Sequence, residues 1–347
     1  MRKAIVGVLG AVASLLVAPV MAQEMMETAT IADIVVASAT GETPEFSTLL
    51  AAVQAADPAV LEALSNPDAE LTVFAPTDAA FAALAEALGE EAFNAVLADT
   101  EFLTNILLYH VVGEVLMSTD VVAALDTVAE VQEAWGLVMA TASVETLLGQ
   151  SIEFAYTEDG ISVDGANLVL DMVDIAAANG VIHVIDAVLL PETRTLAEIV
   201  VEAASAEEGA EFTTLLTAVQ AADPSVLEIL SDPEGAYTVF APTDAAFAAL
   251  IEALGEEAFN GVVADTEALT GILAFHVVEG AVSSTALSGL LGEDGMVDVT
   301  TLGGGTLSIM LDPENGLIIN GNTKIIMVDI DASNGVIHVI DAVLLPE

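Results

Sequence analysis

Four histidines and a small set of aspartates are the residues whose type and spacing could do chemistry in this chain. The histidines occupy two pairs of equivalent positions. His110 and His276 each close an apolar stretch, whereas His183 and His338 each lie between isoleucine and valine. Asp186 and Asp341 follow the second pair by three residues, and Asp78 and Asp244 follow Thr77 and Thr243 just after a proline. Two carboxylates in one copy could act as general acid and base, and a histidine could be a base or a metal ligand. The spacing argues otherwise. A helical metal site carries a second His or carboxylate three or four residues along the same helix, and neither histidine motif has one. A neutral histidine within an apolar segment needs a hydrogen-bond partner, so packing and polar satisfaction are the expected roles of His110, His183, His276 and His338. Capping explains Thr77, Asp78, Thr243 and Asp244 without chemistry. Asp329, Asp331, Asn334 and Gly335 faintly resemble a calcium loop but have the wrong spacing and no closing glutamate. Gly303, Gly304 and Gly305 lie between strand-like runs and read as a hairpin turn, not a phosphate loop. No Ser, Cys or Lys nucleophile is placed with a base. No catalytic residue, metal or cofactor is expected.

The elements that would position these residues are written twice. Asn179–Glu192 recurs letter for letter at Asn334–Glu347, and Thr72–Leu84 shares its sequence from Thr72 through Leu84 with Thr238–Leu250. A repeat of this size is a complete domain, far longer than a solenoid unit. Phe46, Leu49, Leu50 and Val53 fall on one helix face, as do Phe212, Leu215, Leu216 and Val219. Asp57-Pro58 and Asp223-Pro224 start a second helix. A short strand follows (Leu71–Phe74, Tyr237–Phe240), then a helix ending near Gly89, and two more helical stretches around Glu91–Leu97 and Glu101–Tyr109. The second half of each copy is β-rich, punctuated by Gly, Asn, Asp and Pro, and reads as hairpins and a meander. Helices first and antiparallel strands afterwards predict an α+β class, not a βαβ parallel sheet. The interval from His110 to His183 is 73 residues and that from His276 to His338 is 62, so copy one carries 11 extra residues. They centre on Thr127–Trp135 and suggest a longer helical connection, with Trp135 as a candidate exposed contact. The face of Phe81, Leu84 and Leu88 is expected to be core, with a ligand groove as the second reading.

Composition narrows the function. Residues 1–22 carry Arg2 and Lys3 ahead of an uncharged apolar run and small residues, the pattern of a secretory signal cut near Ala22. The expected organisation is signal peptide 1–22, a short lead 23–29, domain one 30–191, linker 192–194 and domain two 195–347. No later stretch is long and apolar enough to suggest a membrane span. There is no cysteine, so each domain must rely on burial and cannot hold a thiolate metal site. The formal charge is −50, and removing the two signal cations leaves −52, opposed only by Arg194 and Lys324. Nucleic acid is thereby excluded, because phosphate binding needs clustered cations. Such a surface suits a saline or calcium-containing milieu.

Three blocks then carry a family resemblance: Thr72 onward (TVFAPTDAAF), Tyr109-His110-Val111-Val112, and Asn179 onward (NGVIHVIDAVLLP). In order and spacing they resemble the signature blocks of the fasciclin (FAS1) family, twice over nearly the whole mature chain. The resemblance implies two tandem α+β domains, each a wedge or sandwich of β-sheets with helices packed along one side. It implies exported or surface-held modules associated with cell adhesion and extracellular matrix, without a shared enzyme activity. It makes Tyr109, His110, Phe275 and His276 candidate interaction residues. Copy two departs from the pattern, with Phe275 where Tyr109 stands in copy one. The expected function is a secreted or periplasmic adhesion-type binding module. Its partner would be a cell-surface or matrix polymer, protein or polysaccharide, bridged by divalent cations. The alternative is a carrier of a carotenoid or lipid with an acidic, solubilising exterior. The oligomeric state stays open.

Overall fold

The computed structural model describes residues 29–41, 44–135, 142–158, 160–206, 209–292, 295–312 and 316–346. The expected signal segment 1–22 and all of the expected lead but its last residue lie outside the described residues. Copy one begins with helices α1 (Ile31–Ala39), α2 (Ser47–Ala55) and α3 (Pro58–Ser65), then strand β1 (Leu71–Pro76) and helices α4 (Asp78–Leu88), α5 (Glu90–Ala98) and α6 (Thr100–Tyr109). Strand β2 (Val111–Val112) and helix α7 (Ser118–Trp135) lead into β3 (Ala142–Glu145), β4 (Ser151–Thr157), β5 (Gly160–Val163), β6 (Ala166–Asn167), β7 (Ile175–Ala177) and β8 (Gly180–Ile185).

Copy two repeats the order with α8 (Leu196–Ser205), α9 (Thr213–Ala221), α10 (Pro224–Ser231), β9 (Tyr237–Pro242), α11 (Asp244–Leu254), α12 (Glu256–Ala264) and α13 (Thr266–Ala274). It continues with β10 (Val277–Glu279), α14 (Ser284–Leu290), β11 (Met296–Thr300), β12 (Thr306–Asp312), β13 (Gly316–Ile319), β14 (Thr323–Ala332) and β15 (Gly335–Ile340). The 11 extra residues of copy one are found in α7, which has 18 residues against 7 in α14.

The meander expectation needs one correction. β1 and β8 run parallel, from Leu71 beside Gly180 to Pro76 beside Ile185, and β9 and β15 do the same from Tyr237 beside Gly335. Hairpin signals report only neighbours in sequence, whereas these partners are joined through most of the domain. Both strands of each pair are apolar nearly throughout and buried, the pattern of a strand covered on both faces. In copy one the strands form two sheets, ordered β2-β1-β8-β7 and β3-β4-β5-β6. In copy two β14 is continuous and joins the corresponding strands into one seven-stranded sheet, with register shifts between Ile325 and Ile330.

Each copy has its own interior in two parts. In copy one, Ile31, Leu49, Val53, Leu107 and Ile182 pack between helices and sheet, while Phe74, Ile152, Val163, Ile185 and Leu189 pack between the sheets. Copy two repeats this with separate residues. Burial of large aliphatic and aromatic side chains at about 1.5–3 kcal/mol each is the term that offsets chain entropy in a protein without disulfides.

The helix starts explain the aspartates after the proline. Thr77 and Thr243 cap their own helices, accepting from Ala80 N at 3.1 Å and Ala246 N at 3.0 Å. Asp78 caps a different helix. Its carboxylate accepts from Ser47 N at 3.2 Å and Thr48 N at 2.7 Å, at the start of α2, where Phe46 offers no cap. Asp244 does the same for Thr213 and Thr214. Partial burial pushes the Asp78 carboxyl up, but the Ser47 and Thr48 donors outweigh it and hold the group below the ordinary range. Asp78→Ala is expected to lower the stability of copy one by about 1–2 kcal/mol in urea unfolding.

Candidate functional site

The histidines are built into the fold by both ring nitrogens. His110 closes α6 and is 3% exposed. Its Nδ1–H donates to Ile106 O at 2.7 Å, and Leu189 N–H donates to its Nε2 at 3.0 Å. His276 repeats the arrangement with Ile272 O at 2.8 Å and Leu344 N at 2.9 Å. Each therefore pins the segment after the last strand to the end of a helix. A backbone N–H can only donate, so these partners fix a neutral Nδ1–H tautomer. Burial pushes both rings down to about 4, against the small upward pull of the carbonyl hydrogen bond.

His183 and His338 take the opposite tautomer. Asp174 N–H donates to His183 Nδ1 at 3.2 Å, and His183 Nε2–H donates to Leu116 O at 2.7 Å. Asp329 N and Val282 O serve His338 at 3.2 and 2.9 Å. The rings also lie against Phe74 and Phe240, each with centroids 5.7 Å apart. Burial pushes His338 below its ordinary range, against the upward pull of the Asp329 carboxylate.

A serine, an aspartate and a histidine thus meet in each copy, yet they do not form a nucleophilic triad. Ser118 Oγ donates to the Asp174 carboxylate and Ser118 N–H donates to it at 2.7 Å, so Asp174 caps α7. Asp329 and Ser284 repeat the cap on α14. A triad needs the hydroxyl on the imidazole. Here each histidine is occupied by backbone groups. The sequence reading missed Asp174, although Met-Val-Asp-Ile recurs at 172–175 and 327–330 and could have flagged it.

The candidate aspartates after the strand histidines, Asp186 and Asp341, are also occupied. Asp186 accepts from Asn167 N at 2.7 Å and Asn167 Nδ2 at 2.9 Å, and Asp341 accepts from Lys324 N at 2.7 Å. Asn334, from the calcium-like cluster, receives Leu196 N at 2.8 Å and donates to Leu230 O and Asp232 O. Asn179 makes the same three bonds to Ile31, Leu64 and Asn66. Among the described residues no group of three or more His, Cys, Asp or Glu is placed to hold a metal ion.

The family-derived contact residues need correcting. Tyr109, His110, Phe275 and His276 are each 3–6% exposed, so none can be a docking surface. Tyr109 OH donates to Asp164 Oδ2 at 2.6 Å and also lies 3.1 Å from Ser151 O. Burial and the Asp164 carboxylate both push the phenol pKa up. Trp135 ends α7, and its side chain lies outside the described residues.

An apolar void opens in copy two among Leu196, Val200, Leu215, Val226, Leu273 and Ile337. Its volume is about 30 Å³. A cavity that admits benzene is about 150 Å³, so this void offers no preformed space for a carotenoid or lipid. Phe81 is buried and Leu88 is 42% exposed, which makes that helix face core at one end and surface at the other.

Comparison with known proteins follows the duplication. A family model described as Fasciclin domain matches residues 44–191 and 210–346. Transforming growth factor-beta-induced protein ig-h3 of Sus scrofa is 31% identical over 278 residues, covering 80% of this chain and 35% of that protein. Protein sll1483 of Synechocystis sp. is 40% identical over 147 residues, 42% of this chain and 73% of that protein. The chain thus spans about a third of the pig protein it matches. A solved FAS1 domain pair from the insect cell adhesion molecule fasciclin I covers 88% of this chain and 99% of its own, with 22% identity and a TM-score of 0.38.

Proposed function

Because the chain belongs to the fasciclin domain family, through two matched segments, we propose that it is an exported, non-catalytic adhesion module that holds a cell-surface or matrix polymer. The observation that carries this reading is the occupancy of its chemically capable residues. All four histidines spend both ring nitrogens on the fold, and Asp78, Asp174, Asp186 and their counterparts serve as caps and turn anchors. What remains for function is surface. With a formal charge of −50, that surface meets an acidic polymer favourably only through cations, so calcium bridging is part of the proposal. No helix among the described residues is long and apolar enough to cross a membrane, which suits a module released from its signal segment.

The test is retention of the labelled mature chain on the matrix of the cells that make it. Retention above that of an equally acidic control protein is expected with millimolar calcium, and its loss is expected on chelation or on digestion of the surface polymer. Binding equal to the control in calcium would overturn the proposal.

A further inference from the structure

The two copies touch through a small polar seam. Gln150 of copy one donates through Nε2 to Glu192 O at 2.8 Å and accepts from Glu192 N at 2.9 Å through Oε1, which fastens the linker to the first domain. The same Nε2 reaches Ala332 O of copy two at 3.4 Å. Next to it, Ser151 N–H donates to Asp331 Oδ2 at 2.9 Å, again from one copy to the other. Gln150 and Ser151 are 7% and 6% exposed, so these bonds are shielded from water.

The seam residues are ones at which the copies differ. Aligning TLLGQSIEF at 146–154 with TLGGGTLSI at 301–309 sets Gln150 against Gly305 and Glu153 against Ser308. Tyr109 corresponds to Phe275, Asp164 to Asn320 and Asp331 to Ala176. The backbone role of these positions survives the change: Glu153 N–H donates to Asp164 Oδ1 at 2.8 Å, and Ser308 N–H donates to Asn320 Oδ1 at 3.0 Å. Copy two uses a neutral asparagine beside a phenylalanine for the same turn. Copy one uses a carboxylate beside a tyrosine, at the seam. Gly305 cannot carry the glutamine, since a Cβ there would lie 2.4 Å from the Phe275 ring.

We propose that Gln150 and Asp331 form an interdomain clamp that fixes the two copies in one orientation while Asp331 is protonated and releases them as it ionises. The groups facing Asp331 give the direction. Asp329 lies two residues away on its own strand, Glu153 and Asp164 face it from copy one, and Tyr109 adds a phenol. The nearby cation, Arg194 in the linker, is engaged by Glu192 and Glu202. Burial, reinforced by Asp329, Asp164 and Glu153, pushes the Asp331 carboxyl up to about 7, although the Ser151 N–H favours its charged form. A carboxyl whose pKa rises on docking takes up a proton when the domains close. Docking is therefore supported most fully below the ordinary carboxylate value of 3.8, and that support declines as pH rises and is gone above about 7. A calcium-rich, mildly alkaline medium would then meet a freer pair, and an acidic surface layer a rigid one.

The chain has no cysteine, so Glu62→Cys and Glu228→Cys, both exposed, admit a dye pair for single-molecule energy transfer on the full mature chain. At fixed ionic strength, a narrow transfer distribution is expected at pH 5.5 and a broadened, shifted one at pH 8.5. Asp331→Asn keeps the acceptor oxygen and removes the charge, so it is expected to hold the narrow distribution at both pH values. Gln150→Ala is expected to broaden it at both. An unchanged distribution in the unsubstituted chain between pH 5.5 and 8.5 would overturn the proposal, as would the same transition in Asp331→Asn.

Discussion

Gly180→Ala is expected to unfold copy one and leave copy two intact, and Gly335→Ala to do the reverse. Each glycine opens the last strand of its copy beside the first residue of the parallel partner. A Cβ on Gly180 would lie 1.8 Å from Leu71 O, and one on Gly335 would lie 1.9 Å from Tyr237 O. The neighbours are backbone, so no side chain can swing away. The φ values of +147° and +148° add strain for any residue with a Cβ. Relief requires separating the strands that carry Ile182, Val184 and Ile185, all fully buried. A loss of at least about 5 kcal/mol follows, which reaches the lower end of the whole stability of an ordinary domain. Hydrogen exchange resolved by peptide reads it directly: residues of one copy should exchange at the unfolded rate while those of the other stay protected.

His110→Leu is expected to cost copy one about 2–4 kcal/mol at pH 7, because Ile106 O and Leu189 N–H are left buried without partners. The same substitution should remove a pH dependence. The ring's folded pKa of about 4 lies below the ordinary 6.5, so the unfolded chain takes up the proton first. The contribution is complete above pH 6.5, declines as pH falls through that value, and is exhausted near pH 4. The drop corresponds to about 3 kcal/mol for each buried histidine. Other carboxylates titrate near the lower end of this window, so the measurement is the difference between two urea-unfolding series, unsubstituted and His110→Leu. That difference should shrink as pH falls from 6.5 to 4. A constant difference would mean that His110 is not held neutral by its surroundings.

The repeat and the helix faces could be read from local sequence because each depends on residues near one another or on identity between copies. Phe46, Leu49 and Val53 mark a helix face by spacing alone, and the burial of Leu49 and Val53 follows from it. The parallel pairing of Leu71 with Gly180 left no such mark, since it joins residues separated by most of the domain. Asp78 was legible as a cap but not as the cap of α2, whose start lies 31 residues upstream. Tyr109 and His110 drew attention as motif residues, yet a motif preserved for packing has the same spelling as one preserved for contact. Their burial separates the two. The seam was invisible for a further reason: Ser151 and Asp331 meet across 180 residues of chain.

In the proposed function, two self-contained domains hold one surface together. Each copy has its own interior, so residues 30–191 and 195–346 can be prepared separately as folded domains. The direct measurement is the dissociation rate of the mature tandem and of each single domain from the same calcium-loaded matrix. A tandem that leaves at least about 100-fold more slowly than either half is the expected result, from the effective concentration of two linked sites. Equal dissociation rates for the tandem and a single domain would mean that the two copies do not bind together.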